Sequence, residues 1–137
     1  MKTTTLLNTA ISIALFHLAA ATVGAQTIDT MPPVVVKTVP EAGTKNVPAG
    51  ETEIRITFSK EMDPGGFSFV GPVLGAEFIS VGSPAFSADQ KTCVWKVKLE
   101  PGKSYGYWLN NAKFQNFRDK AGHPLVPYLF SFQTSKE

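Results

Sequence analysis

Apolar and polar residues alternate without a break from Glu53 to Phe58. Ile54, Ile56 and Phe58 fall on one side, and Glu53, Arg55 and Thr57 on the other. A period of two marks a strand with one buried face. The same alternation runs over Thr92 to Leu99, where Cys93, Trp95, Val97 and Leu99 oppose Lys96 and Lys98. It returns over Ser104 to Leu109, with Tyr105, Tyr107 and Leu109 on one side, and over Tyr128 to Phe132, with Phe130 and Phe132 together. Three shorter segments read as strands from β-branched and aromatic content: Val34 to Val39, Phe67 to Val70 and Glu77 to Val81. Gly71-Pro72 is expected to end the second of these. Turn clusters separate the segments, at Pro40 to Gly43, Asn46 to Gly50, Met62 to Gly66, Ser87 to Gln90 and Pro101-Gly102.

About seven short strands with Pro and Gly punctuation and no helical period predict an all-β fold. The architecture expected is an immunoglobulin-like antiparallel β-sandwich, with an up-and-down barrel as its structural rival. The first residues break this pattern. Lys2 precedes an apolar centre from Ala10 to Ala21, and Val23-Gly24-Ala25 places small residues before Gln26. Met1 to Ala25 therefore reads as a secretory signal peptide cleaved before Gln26. The apolar run is short of the ~20 residues of a membrane span. His17 inside it is unusual, and an uncleaved anchor is the competing reading. Residues 26–31 are expected to be a mobile leader and residues 32–137 the folded domain, with no membrane span after signal cleavage.

Composition narrows the function classes. The chain has 137 residues, which suits one domain. Its formal net charge of +2 is too small for a nucleic-acid surface. One Cys allows no intrachain disulfide, and one Cys with two His cannot close a Cys/His zinc site. An exported domain of this kind must rely on packing, and the chain's ten Phe, all but Phe16 beyond the signal, give it the means. Cys93 is expected to be a buried, inert thiol on its strand's apolar face.

Several local patterns carry a resemblance. Thr57-Phe58-Ser59-Lys60-Glu61-Met62-Asp63 is followed by Leu99-Glu-Pro101-Gly102-Lys-Ser-Tyr105, then by Asp119-Lys-Ala-Gly122-His-Pro124-Leu125 and a closing Phe130-Ser-Phe132-Gln-Thr134. With Pro32-Pro33 and Val39-Pro40-Glu-Ala-Gly43 ahead of them, these resemble the bacterial Ig-like domain of the S-layer (SbsA) type. The resemblance runs from about Met31 to Thr134. The family commonly has Asn where this chain has His123. The resemblance implies an exported β-sandwich, periplasmic, cell-surface or extracellular, with a structural, spacer or adhesive role. It implies no catalytic residues and no enzyme activity.

The candidate residues follow from the turns and the longest connection. Leu-x-Pro-Gly-x-x-Tyr predicts a tyrosine corner, with the Tyr105 hydroxyl bonded back to the turn before its strand. Asp119 and Gly122 fit a tight turn, the carboxylate accepting backbone N–H bonds and the glycine tolerating positive φ. Asn110 to Pro127 is long for a connection between strands, and such segments carry function or internal structure. It holds Phe114, Phe117 and Arg118, and Trp108 stands just before it, facing away from Tyr105 and Tyr107 by alternation. Two readings stand. Phe114 and Phe117 fold back over Trp108 as a satellite cluster, or Trp108, Phe114, Phe117 and Arg118 form an exposed platform for glycans or envelope proteins. Glu61, Asp63 and Asp119 lack calcium-loop spacing, and no cofactor or metal is expected. Lys91, Lys96 and Lys98 form a basic strip, read as a solvated strand face or a guarded edge.

Overall fold

The computed structural model describes residues 22–137. Most of the expected signal segment lies outside the described residues. The chain forms eight strands: β1 Val35–Val39, β2 Gly50–Phe58, β3 Phe69–Gly75, β4 Ile79–Ser80, β5 Ala85–Phe86, β6 Thr92–Leu99, β7 Ser104–Leu109 and β8 Tyr128–Gln133. They make two antiparallel sheets. One has the order β1-β2-β6, with the two-residue strands β4 and β5 both pairing with β6. The other has the order β3-β7-β8.

The all-β sandwich expected from alternation is the fold found. The inward residues of β2 and β6 are Ile54, Ile56, Phe58, Cys93, Val97 and Leu99, and all are buried. They face Tyr105, Tyr107, Leu109, Phe130 and Phe132 from the second sheet. The core is aromatic from end to end. Phe78 stacks on Tyr107 at 4.3 Å and on Tyr105 at 5.3 Å. Trp95 bridges the two ends by packing on Phe69 and Phe78. Among the described phenylalanines only Phe114 is left out of this core.

Two strand readings change. β5 has only two residues, too few for a period, so alternation could not reveal it. β3 continues through Gly71-Pro72 to Gly75, where the sequence suggested an end. Its register against β7 shifts between Val70 and Leu74. β3 is an edge strand, so Pro72 removes no ladder donor that a neighbour needs, and the bulge absorbs its shape.

The other edges are covered or blunted too. Residues 43–47 lie along β8, with Gly43 N–H donating to Ser131 O, Gln133 N–H to Thr44 O and Val47 N–H to Gln133 O. β1 carries a register shift between Val35 and Lys37. Lys96 and Lys98 belong to a central strand, so they are a solvated face, not an edge guard. Residues 27–31, expected to be mobile, form a turn in which the Thr30 and Met31 N–H groups donate to Thr27 O. Lys60 holds that turn to the sandwich, its Nζ donating to Met31 O at 2.7 Å.

Candidate functional site

The long connection from Asn110 to Pro127 starts with a residue the sequence did not single out. Asn110 has φ of 60° and is fully buried. Its side-chain amide takes the place of a neighbouring strand. Oδ1 accepts the Phe117 N–H at 3.0 Å, while Nδ2 donates to Phe117 O at 2.9 Å and to Leu125 O at 3.3 Å. Ser68 Oγ accepts the Asn116 N–H at 2.9 Å. These bonds draw the segment inward and aim Phe117 into the sandwich.

Phe117 is fully buried. Its ring packs against Phe69 at 5.2 Å, Phe58 at 5.4 Å, Phe67 at 6.2 Å and Phe86 at 6.5 Å. This corrects the expectation that Phe117 belongs to an exposed platform or a cover over Trp108. Phe114 is 45% exposed, with Lys113 Nζ 5.3 Å from its ring centroid. Arg118 curls over its own turn, Nη1 donating to Gly122 O at 3.2 Å. Among the described residues, no ring pairing joins Trp108 to Phe114 or Phe117, so the structure does not assemble the four candidates into one patch.

Trp108 instead lies on the outer face of the β3-β7-β8 sheet, half-buried. Its cross-strand partners are Val70 and Leu129, so the three form one row across the sheet. The next row is Leu74, Gly106 and Ser131, and beyond it Ser104 pairs with Gln133. No charged side chain occupies these positions. Gly106 keeps the middle flat: a Cβ there would stand 2.6 Å from the Leu74 Cβ. The opposite outer face is charged, with Glu51, Glu53, Arg55, Lys96 and Lys98 exposed and an Arg55–Glu53 pair at 2.6 Å.

The charged residues at one end of the sandwich are committed to one another. Two of the sequence patterns meet there, Met62 bridging to Asp119 and Asp63 N–H donating to Arg118 O. Asp119 is only 3% exposed. Its Oδ2 stands 2.7 Å from Lys60 Nζ and 2.9 Å from His123 Nδ1, and its Oδ1 accepts the His123 N–H. His123 thus serves the same carboxylate from main chain and ring. Lys120 pairs with Glu61 at 2.6 Å across a shallow depression of about 400 Å³. Gly122 has φ of +90°, which suits the turn around Asp119.

Burial opposes the Asp119 charge, but hydrogen bonds from Lys60 and His123 outweigh it and hold the carboxyl at about 2, below its ordinary 3.8. A carboxylate depressed in the folded state stabilises above its unfolded pKa and loses that contribution as pH falls through the folded one. The stability gap between the natural chain and Asp119→Asn is therefore expected to narrow between pH ~4 and ~2, by up to about 2 kcal/mol. Urea midpoints across that range check it; a gap independent of pH would mean that the Asp119 charge is not what Lys60 holds.

The Tyr105 hydroxyl accepts the Glu100 N–H at 2.8 Å, and Tyr105 is fully buried. Tyr105→Phe is expected to cost about 1 kcal/mol, read as a lower urea midpoint at unchanged slope. An unchanged midpoint would assign that N–H to solvent. Burial pushes the Cys93 thiol up to about 12, which keeps it from forming the reactive thiolate.

No group of His, Cys, Asp and Glu among the described residues gathers into a metal-binding cluster. No helix among them is long and apolar enough to cross a membrane. Comparison with curated proteins returns no match. A family profile described as "Bacterial Ig-like domain" matches residues 29–134, which takes in all eight strands. Domains of this family are generally non-catalytic structural or interaction modules, typically extracellular or surface-exposed. Two antiparallel sheets, an aromatic core and a profile match over most of the chain agree: this protein belongs to the bacterial Ig-like domain family.

Proposed function

We propose that the chain is exported and serves as a non-catalytic structural or adhesive module of the bacterial envelope, of the S-layer (SbsA) type within its family. The observation that carries this reading is how the polar groups are used. Lys60, Asp119, His123, Lys120 and Glu61 bond to each other and to turns, which leaves them tied to holding the fold. The outward row of Val70, Trp108 and Leu129 has no part in that network. The export reading draws on Lys2, the apolar run from Ala10 to Ala21 and the small residues at Val23 to Ala25.

Fractionation of a bacterium expressing the full chain with a C-terminal tag tests this. The expected result is an extracytoplasmic protein whose mature N-terminus, by intact mass, is Gln26. Retention in the cytoplasm with Met1 to Ala25 still attached would overturn it.

A further inference from the structure

We propose that the depression where Lys45, Lys103 and Lys136 converge binds a phosphorylated glycan, with the ammonium groups holding its phosphate. The proposal rests on reading the protein as an adhesive module and names what it adheres to.

Three segments far apart in the chain are joined there by main-chain bonds. Val47 N–H donates to Gln133 O at 3.0 Å and Ser135 N–H to Val47 O at 2.9 Å, which fixes the segment carrying Lys45 beside the end of β8. Thr134 N–H donates to Lys103 O at 2.9 Å, and Gly102 N–H to Ser135 O at 2.8 Å. The buried Thr134 hydroxyl accepts the Lys103 N–H and donates to Glu100 O, so the turn before β7 is locked to the same strand end. The Lys136 stem lies over that turn, since a Cβ on Gly102 would stand 3.6 Å from the Lys136 Cγ. The fold thus holds the backbones of three lysines around one depression of about 330 Å³.

Like charges gathered in this way repel, and no carboxylate offsets them. Among the described residues none of the three lysines forms an ion pair, whereas Lys60, Lys96 and Lys120 each meet a carboxylate. Glu41, Glu100 and Glu137, the acidic residues nearest in sequence, do not line the depression. An ammonium is a compact point charge with three donors, which suits the tetrahedral oxygens of a phosphate, whereas a planar carboxylate favours the arginine fork. The side-chain bonds here are made by Thr134 and Ser135, which leaves the polar ends of Asn46, Ser104 and Gln133 available among the described residues. Their amide and hydroxyl groups can donate to and accept from sugar hydroxyls. A second depression of about 200 Å³ shares Lys45 and Gln133 and adds Thr44 and Ser131, so the path continues for a further sugar. A membrane surface is a poorer partner, because it takes a cluster of about 4–8 basic residues.

Retention of the purified full chain on immobilised phosphomannan tests the proposal, with neutral mannan and the carboxylate polymer alginate as controls. The expected result is retention on phosphomannan alone, released by mannose 6-phosphate at concentrations where inorganic phosphate does not release it. Lys103→Gln combined with Lys136→Gln should weaken that retention about tenfold while leaving the melting temperature within a few degrees. Lys91→Gln combined with Lys113→Gln removes the same charge at the opposite end of the sandwich and should leave retention within about twofold, because charges that far apart are screened. No retention, equal retention on alginate, equal release by inorganic phosphate, or equal loss from both lysine pairs would each overturn the proposal, as would binding to phosphatidylglycerol vesicles in place of phosphomannan. Because binding is measured on purified protein, a failure here is distinct from a failure of export.

Discussion

Replacing Phe117 by alanine is expected to destabilise the domain by about 3–5 kcal/mol, the range for truncating a fully buried phenylalanine. The ring fills the space between Phe58, Phe67, Phe69 and Phe86, which come from β2, β3, β5 and the segment leading into β3. Those strands belong to both sheets. They cannot close on the vacancy without changing the inter-sheet spacing, so most of the cavity should persist. The nearby Phe114→Ala is the control. Phe114 is 45% exposed, and its loss should stay within about 0.5 kcal/mol. Urea unfolding of the two variants side by side checks both. Equal midpoints would mean that the connection from Asn110 to Pro127 is not packed into the sandwich.

The second large effect is expected at Asn110. Asn110→Ala removes three hydrogen bonds from a fully buried site and leaves the Phe117 N–H and the Leu125 C=O without those partners, while the Phe117 C=O keeps the Leu125 N–H. A buried unsatisfied group costs about 1–3 kcal/mol, so a loss of about 3 kcal/mol or more is expected. Asn110 also has φ of 60°, a region alanine adopts at a cost of roughly 1–2 kcal/mol and glycine adopts freely. Asn110→Gly should therefore recover about 1 kcal/mol relative to Asn110→Ala while still lacking the amide. Urea midpoints and amide exchange at Phe117 separate the two contributions. A glycine variant as stable as the natural chain would reduce Asn110 to a backbone role and remove the amide from the account.

These two residues mark the limit of reading by pattern. β2, β6, β7 and β8 were legible because each alternates for several residues. Alternation assigns faces as well as strands: it groups Trp95 with Cys93, Val97 and Leu99, and Trp95 packs inward on Phe69 and Phe78. Phe117 lies in a segment with no period, so nothing local to it indicates a face. Its direction comes from the Asn110 amide, and an asparagine after a strand signals a turn more readily than a substitute strand partner. The segment from residue 27 to 31 escaped in the same way. Its polar composition reads as loose, and the Lys60 ammonium that reaches its carbonyls comes from a distant segment.

The candidate site was partly legible. Alternation along β7 alone turns Trp108 away from Tyr105 and Tyr107. Its neighbours Val70 and Leu129 come from two other strands, and β3 shifts its register just past Val70, which sequence spacing does not reveal. Asp119 could be placed in a turn from its own neighbours, but not its bond to Lys60, a residue of a distant pattern.

Alternation in the sequence is enough for β2, β6, β7 and β8, their buried faces and hence a two-layer β fold, because burying one side of a strand is encoded by residues two apart. Tertiary packing turns Phe117 inward, brings Lys60 to Asp119 and sets Trp108 in a row with Val70 and Leu129. Each of those outcomes depends on groups far apart in the chain meeting at hydrogen-bonding distance, and that meeting is settled by the packing of the two sheets.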